Sequence, residues 1–161
     1  MSWVEILARL GAALAVGGLI GLNRELRNKP AGLRTHALVS LGAAVITLGG
    51  EEIAGAHGAP SPDAMSRVIQ GIITGVGFLG AGVILRPREG QTVRGLTTAA
   101  TVWISAGLGI AAGDGQWRLL LVGAALTLAV LVGGRALERR LLGEIRPARR
   151  GPEDPEGRPD D

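Results

Sequence analysis

Apolar residues in this chain gather in five long blocks, unlike the short alternations of strands or the narrow stripes of soluble helices. Uncharged runs occupy Leu10 to Asn23, Thr35 to Gly50, Val68 to Leu85, Gly95 to Gly113 and Leu119 to Gly134. The third holds 18 residues and the fourth 19. Each is long enough, at about 1.5 Å per helical residue, to cross a hydrocarbon core of roughly 30 Å. The first reaches about twenty residues when it starts at Trp3, which takes in Glu5 and Arg9. Their i, i+4 spacing, acid before base, lets them pair near the helix end. The second run gains length from a snorkelling Arg34 at one end and from Ile53 and Ala54 at the other, and the fifth is anchored by Trp117 and Arg135. The pattern predicts an all-α membrane protein, a bundle of about five transmembrane helices.

Charge then orients the bundle. Lys and Arg number four between Arg24 and Arg34, one (Arg67) in the next connection, three from Arg86 to Arg94, one (Arg118) after that, and seven beyond Gly134. This alternation predicts the N-terminus outside and the C-terminus, with every basic cluster, in the cytoplasm. The net charge of only +3, placed beside apolar runs, argues for membrane topology and against nucleic acid. The basic residues after the first span, where a signal peptide carries them before, keep that span uncleaved. The sequence has no Cys, which excludes disulfides, thiolate metal sites and a thiol nucleophile. Residues 1–134 are read as the transmembrane domain. Residues 135–161 are read as a basic juxtamembrane helix, Arg135 to Ile145, and a disordered Pro-, Gly- and charge-rich tail.

Little else points to chemistry. Gly75-Val76-Gly77-Phe78-Leu79-Gly80 spells a dinucleotide fingerprint, but it lies inside an apolar run with no preceding strand and no acidic residue about twenty positions on. The better reading is small faces for helix packing: Gly71, Gly75, Gly77, Gly80 and Gly82 on the third span, Gly17 and Gly21 on the first. His36 and His57 fall on opposite membrane faces as ordinary interfacial histidines, so they share no metal. No carboxylate occupies the middle third of any span, which weakens direct cation transport. No cofactor, metal or hydrolytic constellation is expected, and the chain is not read as an enzyme. A cytoplasmic vestibule is the candidate functional site. Arg24 and Glu25 end the first span, Arg34 and Thr35 open the second, and Arg94, Thr97 and Thr98 open the fourth. There Glu25 pairs with an Arg, or the helix start and the Arg residues hold an anion or an acidic segment.

Three blocks carry a resemblance: Ala31-Gly32-Leu33-Arg34-Thr35-His36, Gly77-Phe78-Leu79-Gly80-Ala81-Gly82-Val83-Ile84, and Arg94-Gly95-Leu96-Thr97-Thr98-Ala99-Ala100-Thr101-Val102-Trp103. In order and spacing they resemble the MgtC/SapB family of bacterial inner-membrane proteins, from about Ile6 to Gly134. The resemblance implies a small multi-helix inner-membrane domain linked to growth at low Mg2+, and in some members to survival inside host cells. It also implies action on other membrane proteins, such as the F-type ATP synthase, or on a second copy. The chain departs from the family at Asn23, where a Glu is common. Thr97 and Ile104 stand where the virulence-factor members carry Asn and Cys, and the resemblance is to the membrane-only branch, without the soluble C-terminal domain of those members. The runner-up reading is a solute or ion transporter whose vestibule lies near Arg34, Arg94 and Thr97.

Overall fold

The structure, a computed structural model, describes residues 1–56, 62–84 and 94–142. Five helices follow one another: α1 (Trp3–Glu25), α2 (Leu33–Ala56), α3 (Pro62–Val83), α4 (Leu96–Gly113) and α5 (Trp117–Leu142). Each contains a stretch long and apolar enough to cross a membrane, and the chain is an all-α multi-pass membrane protein. Residues Met1–Leu128 form one compact unit and Ala129–Asp161 a second, where the described residues carry α5 on to Leu142. His57, most of the basic loop before Arg94 and the chain beyond 142 lie outside the described residues.

The centre of the first unit is the seam between α1, α2 and α4, and small residues make it. In lipid no hydrophobic force drives one helix onto another, so close backbone approach and interhelical hydrogen bonds must do it. A Cβ added at Gly17 would sit 2.5 Å from the His36 carbonyl oxygen and 2.7 Å from the Ser40 Cβ. One added at Gly21 would sit 2.6 Å from the Gly32 oxygen. On α4, a Cβ at Gly109 would run into the Ser40 backbone, and one at Gly113 would lie 2.8 Å from the Ala44 oxygen. Three four-residue steps therefore interlock: Gly17 and Gly21, Ser40 and Ala44, Gly109 and Gly113. Ala13, Ala44 and Ala112, all fully buried, fill the remaining space. On α5, Leu120 is buried and Gly123 lies against the Leu108 side chain.

The third span corrects an expectation. Ile72, Val76 and Gly80 are the buried residues of α3, and Ile72 and Val76 pack with Ala43, Val102 and Ala106. Gly80 meets Ala99. Around Gly71, Gly75, Gly77 and Gly82, however, an added Cβ would meet nothing within 4 Å among the described residues. At about 100° per residue, Gly71, Gly75 and Gly82 lie about a third of a turn from the buried face, so among the described residues they have no packing partner.

One end of the bundle is tied by Arg9. Its Nη2 donates to Glu5 at 2.6 Å, and its Nη1 to Glu51 at 3.1 Å and to the Gly113 carbonyl at 2.7 Å. The guanidinium thus joins α1, the end of α2 and the last carbonyl of α4, where a cation also meets the negative end of the helix dipole. The other end is where the three sequence blocks meet.

Candidate functional site

The connection from α1 to α2 has a defined shape. Asn28 takes a left-handed φ of 51°. Its N–H donates to the Glu25 carbonyl, and that of Lys29 to the Arg24 carbonyl, at 2.9 and 3.0 Å. This is the paired C-terminal closure that satisfies orphan carbonyls. Ala31, also left-handed at φ 58°, then turns the chain onto Gly21. Gly32 sits against the Glu25 side chain. A side chain there would collide with the Glu25 carboxylate, 2.7 Å from the added Cβ, and that carboxylate must come in to accept the Leu33 N–H at 2.9 Å. The acid caps the N-terminus of α2, satisfying a donor and complementing the dipole.

The pairing of Glu25 with an Arg is corrected accordingly: its described hydrogen bond goes to the backbone of α2. Arg24 turns the opposite way. It is 5% exposed, and its Nη2 donates to the Thr98 hydroxyl of α4. Thr98 is therefore no cap for α4. The helix opens instead at Gly95, with φ 94° and no side-chain cap, at a point where a Cβ would strike the Val83 carbonyl at the end of α3.

Beside this link lies a second one that sequence reasoning missed. His36, read as interfacial, is fully buried. Its Nδ1 is 3.0 Å from the Gly32 oxygen and its Nε2 is 3.1 Å from the Thr101 hydroxyl. A carbonyl only accepts, so Nδ1 carries a proton. Thr101 Oγ also lies 2.9 Å from the Thr98 carbonyl, so in the neutral ring its one proton is shared between two acceptors, Nε2 and that carbonyl. Ser105 donates to the Thr101 carbonyl at 2.9 Å, while Ser40, fully buried, has no partner for its hydroxyl among the described residues. The available signal was the spacing His36, Ser40, Thr47, Glu51 on α2, which falls on one helix face, with Thr98, Thr101 and Ser105 doing the same on α4. Polar side chains aligned on two spans imply that the spans face each other.

The remaining site residues stand apart from this network. Arg34, Thr35, Arg94 and Thr97 are exposed. Arg34 and Thr35 line an open groove of about 500 Å³ with Leu22, Lys29 and Leu33. The structure thus brings Arg24 and Thr98 together, adds His36 and Thr101, and leaves the other five, Glu25 among them, on the surface. Among the described residues no group of His, Asp and Glu is arranged to hold a metal ion. What the arrangement does chemically is fix three helix ends through a guanidinium, an imidazole and two hydroxyls.

Comparison with known proteins agrees with the motif blocks. Residues 10–140 match the MgtC family. The chain is 44% identical over 143 residues to Protein SrpB of Synechococcus elongatus, covering 85% of this chain and 79% of that one. It is 45% identical over 130 residues to Protein MgtC of Salmonella typhimurium, covering 81% of this chain and 52% of the relative. With Protein MgtC of Brucella abortus the identity is 42%, covering 89% and 56%. The chain thus spans about half the length of these MgtC relatives. No solved structure matches it. With a family match over most of its length and relatives at this level of identity, the chain belongs to the MgtC family and is a multi-pass bacterial membrane protein.

Proposed function

We propose that this chain is a non-enzymatic inner-membrane protein serving adaptation to low Mg2+, and that it acts on other membrane proteins through helix contact without carrying a solute itself. The observation that carries this reading is the closure of the α1, α2 and α4 seam. At Gly17, Gly109 and Gly113 the backbones leave no room for even a methyl group. A hydrated cation, and Mg2+ above all, gives up its waters reluctantly, and at these contacts the described residues of the seam leave it no room to pass. The Mg2+ part of the reading rests on family membership. Orientation with the N-terminus outside, which puts the Arg24 junction in the cytoplasm, is supported by the alternating Lys and Arg counts. The outward face of α3 at Gly71, Gly75 and Gly82 leaves space for a neighbouring helix, either of a second copy or of a partner such as the F-type ATP synthase. Transport through a vestibule at Arg34, Arg94 and Thr97 has weaker support, since all three are exposed and the seam behind them is closed.

The test pairs two readouts on one protein. The chain should restore low-Mg2+ growth to a strain lacking its own family member. Purified into liposomes, it should move Mg2+, K+ and phosphate no faster than protein-free vesicles. Flux well above that background overturns the reading in favour of transport.

A further inference from the structure

The groove beside the α1–α2 connection has a chemistry that the buried junction does not use. It is an open depression of about 500 Å³. Two of its lining residues, Lys29 and Arg34, are exposed cations, and the hydroxyl of Thr35 adds a donor. The one acid in its wall, Glu25, already accepts the Leu33 N–H. The adjoining amides of Arg34 and Thr35 belong to the first turn of α2, where backbone N–H groups have no partner within the helix and the dipole favours an anion. The wall toward the span is apolar: Leu22 and Leu33 are 40% and 39% exposed. Since α1 ends at Glu25 and α2 begins at Leu33, the groove lies at the ends of two membrane spans, the depth at which headgroup gives way to acyl chain. Arg24 takes no part in it, being buried against Thr98.

We propose that this groove binds a phosphate group, that of an acidic phospholipid whose acyl chain lies along Leu22 and Leu33. Lys29 supplies a point charge and Arg34 a planar fork to the phosphate oxygens, with the first-turn amides of α2 and the Thr35 hydroxyl completing the donors. The selectivity follows from charge. With Lys29 and Arg34 set against the one carboxylate of Glu25, the groove keeps a net positive charge; a zwitterionic lipid adds a further cation to it, whereas phosphatidylglycerol adds none. This binding stands whether or not the chain acts on other membrane proteins.

The experiment titrates the full-length chain in uncharged detergent with phosphatidylglycerol, with phosphatidylcholine of the same acyl chains, and with inorganic phosphate, following bound lipid by native mass spectrometry and the melting temperature in parallel. Phosphatidylglycerol is expected to bind saturably and raise the melting temperature, and phosphatidylcholine to bind at least tenfold more weakly. Arg34→Gln and Lys29→Gln should each weaken phosphatidylglycerol binding severalfold. Arg118→Gln, which removes the same charge at the opposite end of the bundle, should not. Competition by millimolar inorganic phosphate supports the phosphate site and assigns it to the free ion; its absence assigns the site to the lipid. Equal binding of the two lipids, or unchanged phosphatidylglycerol binding in both groove variants when they melt like the parent, overturns the proposal.

Discussion

Gly109 is the residue at which the packing leaves least room, because Ser40 of α2 occupies the space where its side chain would be. Gly109→Ala must push the α2 backbone away, and overpacking of a fixed core costs about 1–3 kcal/mol. Gly75→Ala meets nothing and gains about 0.5–1 kcal/mol of helix preference over glycine. Melting in detergent should therefore show a clear drop for Gly109→Ala and none for Gly75→Ala. A loss at Gly75 as large as that at Gly109 would contradict the outward placement of the α3 face. The two glycines look alike in sequence, since each sits in a small-residue repeat of an apolar run, and only the partner helix separates them. His36 was obscured in a similar way. Following Arg34 and Thr35 at the start of a span, it reads as interfacial, but the collapse of Gly32 onto Gly21 turns it inward. His36→Leu keeps the volume and loses the bonds to Gly32 and Thr101. Bonds of this kind within membranes average about 0.6 kcal/mol, so the variant should fold with modestly lowered stability, and any large loss of function on top of that marks the network as more than a brace.

Among elements, α1 carries both ties of the bundle, Arg9 at one end and Arg24 at the other. The i, i+4 pair of Glu5 and Arg9 was legible from spacing alone, and it forms at 2.6 Å. Its contribution is small, about 0.3–0.5 kcal/mol for such pairs. The bonds from Arg9 to Glu51 and to the Gly113 carbonyl come from residues far apart in sequence, and no local pattern announces them. They matter more, since removing a donor from a part-buried acceptor costs about 1–3 kcal/mol. Arg9→Met should accordingly lower the melting temperature several times more than Glu5→Ala. Equal effects would mean that the long-range bonds hold nothing. For α3 the sequence named the right helix but only one glycine on its covered side: Ile72, Val76 and Gly80 make its contact, and Gly71, Gly75, Gly77 and Gly82 meet none of the described residues. Where bulky and small residues share a span, periodicity identifies the faces without saying which one is covered.

For the whole molecule, the five spans were readable because length and the absence of charge are all that a bilayer demands of a helix, and the five helices follow those runs. The proposed orientation rests on the alternating Lys and Arg counts. Single cysteines placed at Ser2 and Asn28, in a chain that has no others, should label from outside and from inside respectively; the reverse pattern, or labelling of both from one side, contradicts the proposed topology. The candidate site was legible only in part. Arg24 and Thr98 were in the right neighbourhood, but the sequence could not show that Arg24 turns inward while Arg34 and Arg94 turn outward. That difference gives Arg24, and not the exposed Arg34, a bond that ties α1 to α4. Topology counts charge alone and accepts Lys for Arg, whereas a buried guanidinium bonded to a hydroxyl uses its reach and planar donors. The most direct measurement is low-Mg2+ growth supported by Arg24→Lys beside Arg34→Lys, at matched abundance and insertion. Growth should be lost with Arg24→Lys and normal with Arg34→Lys; full growth with Arg24→Lys would mean that function does not need the buried guanidinium.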